Sequence, residues 1–317
     1  MIYEYAVEPE LVVAWGKDRA DYRYFCEQFG LGTARIMAEF PKLKNWRRQF
    51  RQAAEGADPT RELPRITALF TLLIERRVRR DGYDYDGVFS WLENVESENG
   101  RQSFQAILAR TNPRHHAKVL APGFAETNPL WKVEKQSYCS RRAQDMAELV
   151  GSMLSNCSTV HFIDPYFGPE NPRFRRPLEA FINVIATQRC CRPAIDTITV
   201  HTSDRANFAF FRQTCQNQLQ HRISAGARLV FQRWKQRDGG EKLHNRYILT
   251  DIGGVKFDPG LDDGNEGETV EVIVLERNLY EKHWNDYVEN PAFDPAESPF
   301  EITGTRRGGF TAVTSLP

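Results

Sequence analysis

Residues 158–167 read STVHFIDPYF, an apolar run that stops at Asp164-Pro165, and it sets the texture of everything around it. We read it as a strand closed by a turn-forming Asp-Pro step. Upstream, RRAQDMAELVGSMLSNC (141–157) has the spacing of an amphipathic helix, and downstream RRPLEAFINVIATQ (175–188) has it again. A second strand, DTITVHTSD (196–204), a helix, FAFFRQTCQNQLQHRIS (208–224), and a third strand, ARLVFQRWK (227–235), continue the alternation. EKLHNRYILTD (241–251) reads as a fourth strand and GETVEVIVLER (267–277) as a fifth. Strands alternating with helices predict a mainly parallel sheet covered by helices. The last stretch, PAFDPAESPFEITGTRRGGFTAVTSLP, is rich in Pro and Gly and reads as an irregular tail.

The first ~110 residues have a different texture. KDRADYRYFCEQFG, TARIMAEF, KLKNWRRQFRQAAEG and PRITALFTLLIERRVRRDG each carry helical spacing and end at Gly or Pro, and GVFSWLENVESENGRQSFQAILAR continues in that style. Residues 111–131 collect three prolines and mark a connector. The expectation is an α/β protein with a helical domain over 1–130 and an α/β domain over 132–317.

The chain has 317 residues, 41% of them hydrophobic, enough to bury a core in two domains. No apolar run is long enough for a transmembrane helix, and the N-terminus does not read as a signal peptide. Six cysteines lack C-x-x-C spacing, so reduced thiols, a cytoplasmic setting and no metal or cofactor are expected. Net charge is zero but unevenly spread. Residues 41–80 hold eleven Lys/Arg against four carboxylates, and residues 251–300 hold thirteen carboxylates against three cations. Such asymmetry speaks to partners rather than fold.

His244, Arg246 and Asp251 stand in H-x-R-x-x-x-x-D spacing. On one strand, parity puts His244 and Arg246 on one face and turns Asp251 to the other, some ~20 Å along. Asp251 is therefore expected to anchor a strand end. His244 and Arg246 can present an imidazole and a guanidinium together, which suits a tetrahedral phosphate. A strand-edge His and Arg packed against acidic neighbours is the plainer alternative.

IDPYF, LHNRYILTD, GGVKFDPGLDD and ETVEVIV, in that order over about 150–290, together resemble the phospholipase D superfamily. The nearest resemblance is to the phospholipase D-like domain at the C-terminus of proteins carrying a microtubule-interacting-and-trafficking (MIT) domain, and to its bacterial counterparts. Residues 1–130 do not resemble the three-helix MIT domain. The superfamily motif is H-x-K-x4-D followed by G-S-x-N, and two histidines work together, one as nucleophile and one as general acid. By position the resemblance makes His244 the nucleophile, Arg246 the phosphate-binding Lys, and Asp251 the Asp. Gly260-Leu261-Asp262-Asp263 falls where G-S-x-N belongs, so Asp263 puts a negative charge at a phosphate ligand's place. Arg for Lys keeps the charge and adds donors. Only one H-x-R copy exists, so catalysis implies a homodimer or another histidine.

His201, ending its strand, and Asp164, ending another, are the supporting candidates, because carboxyl ends of parallel strands gather on one edge. His161, His115, His116 and His283 read as structural. Arg173, Arg175 and Arg176 follow the Asp-Pro-Tyr strand and form a candidate phosphate track. In the N-terminal half, WRRQFRQ and ERRVRR place Arg47, Arg48, Arg51, Arg76 and Arg77 with Trp46 and Phe50 between them. That surface suits nucleic-acid backbone, peripheral contact with a membrane or a protein partner, or docking onto the acidic 251–300 segment.

Two function classes follow. One is a metal-independent phosphodiesterase, a nuclease, acting as a homodimer through paired His244. The other is a non-catalytic phosphate-binding or scaffolding module that recognises nucleic acid, a lipid headgroup or a protein. A pure protein-interaction platform is a third. Stand-alone bacterial relatives imply antiviral defence as a setting.

Overall fold

A computed structural model describes residues 1–122, 128–189, 195 and 197–306 of the chain. The fold is α/β, in two compact units, one built on Met1–Lys135 and one on residues from Gln136 onward. Cys190 and Cys191 lie outside the described residues, as does the end of the tail beyond residue 306.

The first unit is not the helical domain expected for 1–130. Its centre is a five-stranded sheet of β1 (Tyr3–Val7), β2 (Arg35–Glu39), β3 (Val78–Arg79), β4 (Ala106–Leu108) and β5 (Val119–Leu120), in the order β3-β2-β1-β4-β5. All four pairings are parallel. Helices α1 (Pro9–Lys17), α2 (Arg19–Gln28), α3 (Leu43–Ala53) and α4 (Leu63–Glu75) supply Leu11, Trp15, Phe25, Trp46, Phe50 and Leu69 to a core against Tyr5 and Val7. Helix α5 (Trp91–Arg101), opened by a Ser90/Glu93 capping box, packs Trp91, Leu92 and Val95 against Ala6, Ala38 and Ile107 on the other face.

Covering on both faces explains the misreading. A strand buried on both sides loses the two-residue alternation that marks a strand. RIMAE is buried along nearly its whole length and is made of good helix formers, so tertiary burial overrides local propensity there. ERRVRR likewise splits: α4 ends at Glu75, and Val78–Arg79 becomes β3. One charged cluster is sealed inside this unit. Arg80 forks onto both carboxylate oxygens of Glu4 at 2.8 Å, reaches Glu98 at 2.8 Å, and lies over the Phe104 ring at 3.5 Å.

The second unit holds β6 (Gln136–Ser140), α6 (Ala143–Asn156), β7 (Val160–Ile163), α7 (Pro172–Thr187), β8 (Ile198–Ser203), α8 (Phe208–Leu219), β9 (Arg228–Lys235), β10 (Arg246–Thr250), β11 (Gly253–Asp258), β12 (Thr269–Val274), α9 (Arg277–Trp284), β13 (Asp294–Pro295) and β14 (Phe300–Thr303). The sheet runs β13-β9-β8-β7-β10-β11-β12-β6, with β14 also on β9. It is mixed: β7, β8 and β9 are parallel, as the βαβ alternation predicts, while the remaining pairings are antiparallel. Strands β6 and β11 went unread in the sequence, and part of the supposedly irregular tail is β14, which pairs with β9 along Phe300–Thr303.

Phe162, Phe231 and Phe257 face α7 and α8, where Phe181 and Phe211 meet them. The opposite face carries His161, His201, Trp234 and Tyr247, met by His283 and Trp284 of α9 and by Tyr287 of the π-helical turn Asn285–Glu289.

Candidate functional site

β10 begins at Arg246, not at Glu241, so the expected fourth strand is half a strand. The preceding QRDGGEKLHN is polar and broken by Gly239 and Gly240, with Gly239 at φ 70°, and it runs as loop and turn. His244 therefore lies exposed in the turn before β10 rather than beside Arg246 on a strand. Its ring contact to Asn245 is 3.5 Å, the outer limit of a hydrogen bond.

Tyr247 is registered against Ile163, and the next antiparallel step sets Arg246 across from Asp164. The Arg246 Nε lies 4.0 Å from Asp164 Oδ1, and Nε itself is buried with no hydrogen-bond partner. Asp164 is 4% exposed, over a small apolar cavity lined by Phe162, Phe167, Phe174 and Leu261. Burial pushes its carboxyl up to about 6, although the Tyr166 N–H, donating to Oδ1 at 2.9 Å, and the Arg246 charge pull the other way. Tyr166 joins the group through its ring: the Arg246 guanidinium stands 4.5 Å from the centroid and that of Arg205 stands 4.0 Å away. Arg205 is exposed and has no carboxylate partner among the described residues.

The remaining candidates scatter. His201 meets Asp164 only through its backbone, accepting the Asp164 N–H at 3.0 Å, and its ring turns away. It pairs in register with Ile163, one residue earlier, so strand parity turns it to the opposite face. There it is buried at 3% exposure, 3.0 Å from His161 and 3.0 Å from the Trp234 indole nitrogen. Asp251 accepts from the Ser158 and Thr159 N–H groups at 2.7 and 3.0 Å, tying the β10–β11 turn to the start of β7. Asp263 is not a bare charge at a phosphate's place. Its Oδ1 accepts from Ala143 N at 2.7 Å at the N-terminus of α6, and its backbone N–H donates to Arg173 O at 2.8 Å. Asp262 beside it is held by both Arg141 and Arg173.

The Arg173–Arg175–Arg176 track is not continuous. Arg173 clamps Asp262, and Arg175 is buried, bonding Pro169 O at 3.0 Å with Glu179 3.3 Å from its Nε. Arg176 alone of the three is mostly exposed, with Asp263 3.9 Å away. In the first unit, Trp46 and Phe50 are core residues stacked on each other and on Phe70, so these two rings offer the basic residues no aromatic platform. Arg77 pairs with Glu39, Arg47 leans over Phe70 at 5.4 Å, and Arg48, Arg51 and Arg76 are exposed.

Sequence reasoning passed over Arg205, two residues past the end of β8 in HTSDR, and Tyr166, the third residue of the Asp-Pro-Tyr block. Both sit just beyond carboxyl ends of neighbouring parallel strands, and that position was the available signal.

Compared with family models and with curated proteins, the chain matches none. Among solved structures, TrmBL2, described as an archaeal chromatin protein with a novel mode of DNA binding, overlaps 50% of this chain and 54% of its own. The overlap has a TM-score of 0.26 and 11% identity, which is too little to argue from. Among the described residues no cluster of three or more His, Cys, Asp or Glu could hold a metal, and no helix is long and apolar enough to cross a membrane.

Proposed function

We propose that the second unit is a phosphate-recognition module whose site is formed by Arg246, Arg205 and His244, and that its ligand is the phosphodiester backbone of nucleic acid. The observation that carries this reading is the pair of guanidinium groups drawn to one tyrosine ring, with Arg205 exposed and Arg246 only half neutralised. Two planar forks at one strand edge suit the oxygens of a phosphate. The ordered resemblance to phospholipase D-like domains supports the same chemistry.

Binding is favoured over cutting because, among the described residues of the second unit, the His244 ring contacts Asn245 and no second imidazole. His161 and His201 are buried on the far face, His221 bonds Thr305 at 3.1 Å, and His283 stacks on Tyr247. One observation favours the second reading, a phosphodiesterase. Asp164, with its carboxyl near 6, can hold a proton at mildly acid pH and release it above. In that scheme the His244 imidazole attacks phosphorus, the leaving oxygen takes a proton, and water then hydrolyses the phosphohistidine. A second His244 from a homodimer would serve the same protonation.

The test is fluorescence anisotropy of a labelled oligonucleotide on the full chain in EDTA, followed by gel analysis of the same mixtures. Arg205→Ala and Arg246→Ala should each weaken binding about tenfold or more, the scale of a lost charge-assisted contact. Unchanged binding in both variants would overturn the site. Cleavage in EDTA that disappears in His244→Ala would replace the recognition reading by the catalytic one.

A further inference from the structure

We infer that the first unit carries a separate polyanion-binding ridge along α3, built from Lys44, Arg48 and Arg51 with Lys42 at its start, and that it takes nucleic-acid backbone. Between Lys42 and Ala54 the chain places five cations and no carboxylate. Lys42, Lys44, Arg48 and Arg51 are all exposed, and none has an ion pair or side-chain hydrogen bond among the described residues. The contrast lies within the same unit. Arg77, Arg80, Arg101, Arg110 and Arg114 are each held by a carboxylate.

The placement also runs against the helix. Lys42 is the N-cap residue, with no side-chain cap, and the first turn holds no acidic residue; one carboxylate, Glu39, shared with Arg77, accepts from the Leu43 N–H at 3.3 Å and offsets part of the positive end. Cations at the positive end of a helix dipole carry a local cost that a bound anion relieves. Two more facts give the surface a shape. A shallow depression is lined by Lys44, Arg47, Arg48 and Arg51, with Leu43 at one end and a single carboxylate, Glu55, at the other. Residues 44, 48 and 51 recur at i, i+4 and i+7, so they share one helix face and span about 10 Å along the axis at ~1.5 Å per residue. That span covers about three base-pair steps of duplex at ~3.4 Å of axial rise each.

An acidic membrane fits less well. A helix that lies in a membrane surface keeps an apolar face for the lipid. Here the apolar residues Trp46 and Phe50 are 1% and 7% exposed, spent on the core. The ridge has charge to offer, and the one apolar residue lining it, Leu43, is only half-exposed. Its recognition should therefore be independent of base sequence and steeply dependent on salt.

The experiment titrates the full chain into a labelled DNA duplex over a range of salt concentrations. Lys44→Ala, Arg48→Ala and Arg51→Ala should each lower the slope of log K against log salt by about 0.9, and the triple variant should bind at least tenfold more weakly at low salt. Arg48→Lys should keep the slope. A control neutralising Lys17 at the end of α1 with Arg19 and Arg23 of α2 removes equal charge from a stretch that also carries Asp18 and Asp21, and it should change little. The same titration in an Arg205→Ala/Arg246→Ala background separates this ridge from the site of the second unit: the α3 increment survives there if the ridge is independent. Equal losses in the α2 control and the α3 triple variant would overturn the proposal. So would an unchanged salt slope in the triple variant, or α3-dependent binding to phosphatidylserine vesicles without any to DNA.

Discussion

His161 Nδ1 and His201 Nε2 face each other at 3.0 Å inside the second unit, and the Trp234 indole decides which of them holds the proton between them. An indole N–H can only donate, so His201 Nδ1 accepts. Neutral His201 then carries its hydrogen on Nε2 and gives it to His161 Nδ1, which leaves the His161 hydrogen on Nε2. That atom is buried without a partner, beside the Trp284 ring. Neither ring can take a proton without placing a charge under α9.

Acid should therefore weaken this unit. Burial pushes the His161 ring down to about 4, and lowers His201 as well, with the His161 charge adding to the effect. A base whose pKa is lowered by folding stabilises the native state above its unfolded value of about 6.5 and loses that stability as pH falls toward 4. For His161 alone the change is about 3 kcal/mol. Urea unfolding between pH 7 and 4 should show the loss, and His161→Gln should flatten it. The charged groups next to this cover, His283, Lys282 and Asp286, remain in both proteins, so the difference between the two curves reports His161 together with its coupling to His201.

Asp164 predicts the opposite slope. Its carboxyl is raised from 3.8 to about 6, so it destabilises the fold increasingly as pH rises through that window. Asp164→Asn should match the parent near pH 3.5 and exceed it at pH 8 by up to about 3 kcal/mol. A variant equally stable at pH 3.5 and less stable at pH 8 would mean that the carboxylate is worth more to Arg246 than its burial costs.

Arg80 is the cation on which the charged cluster of the first unit depends. Arg80→Ala leaves Glu4 and part of Glu98 buried without their shared partner. The expected loss is about 3–5 kcal/mol, with Arg80→Met less harmful only if Glu4 is changed to Gln alongside it. Thermal unfolding of the single and double variants reads this directly.

Asp251 separates a framework role from a role in phosphate binding. Removing its carboxylate strips an acceptor from the Ser158 and Thr159 N–H groups. Asp251→Ala should cost about 1–2 kcal/mol of stability and leave oligonucleotide affinity at low temperature unchanged. A loss of affinity with no loss of stability would return Asp251 to the binding site.

The apolar run HFI and its Asp-Pro stop, the helices around α6, α7 and α8, and the positions of Arg246 and Asp164 were all legible in the sequence, since they rest on local pattern and turn chemistry. The sheet of the first unit was not. Its strands are two to five residues long and covered on both sides, so nothing in their composition alternates. Which face a residue takes was decided later still. One step of register sends Asp164 toward Arg246 and His201 toward Trp234, and a loop broken by two glycines detaches His244 from the strand that its spacing suggested. Sequence fixes which chemical groups the chain carries and roughly where each strand ends. Pairing across strands more than thirty residues apart decides which of those groups meet, because register is a property of the partner strand as much as of the strand itself.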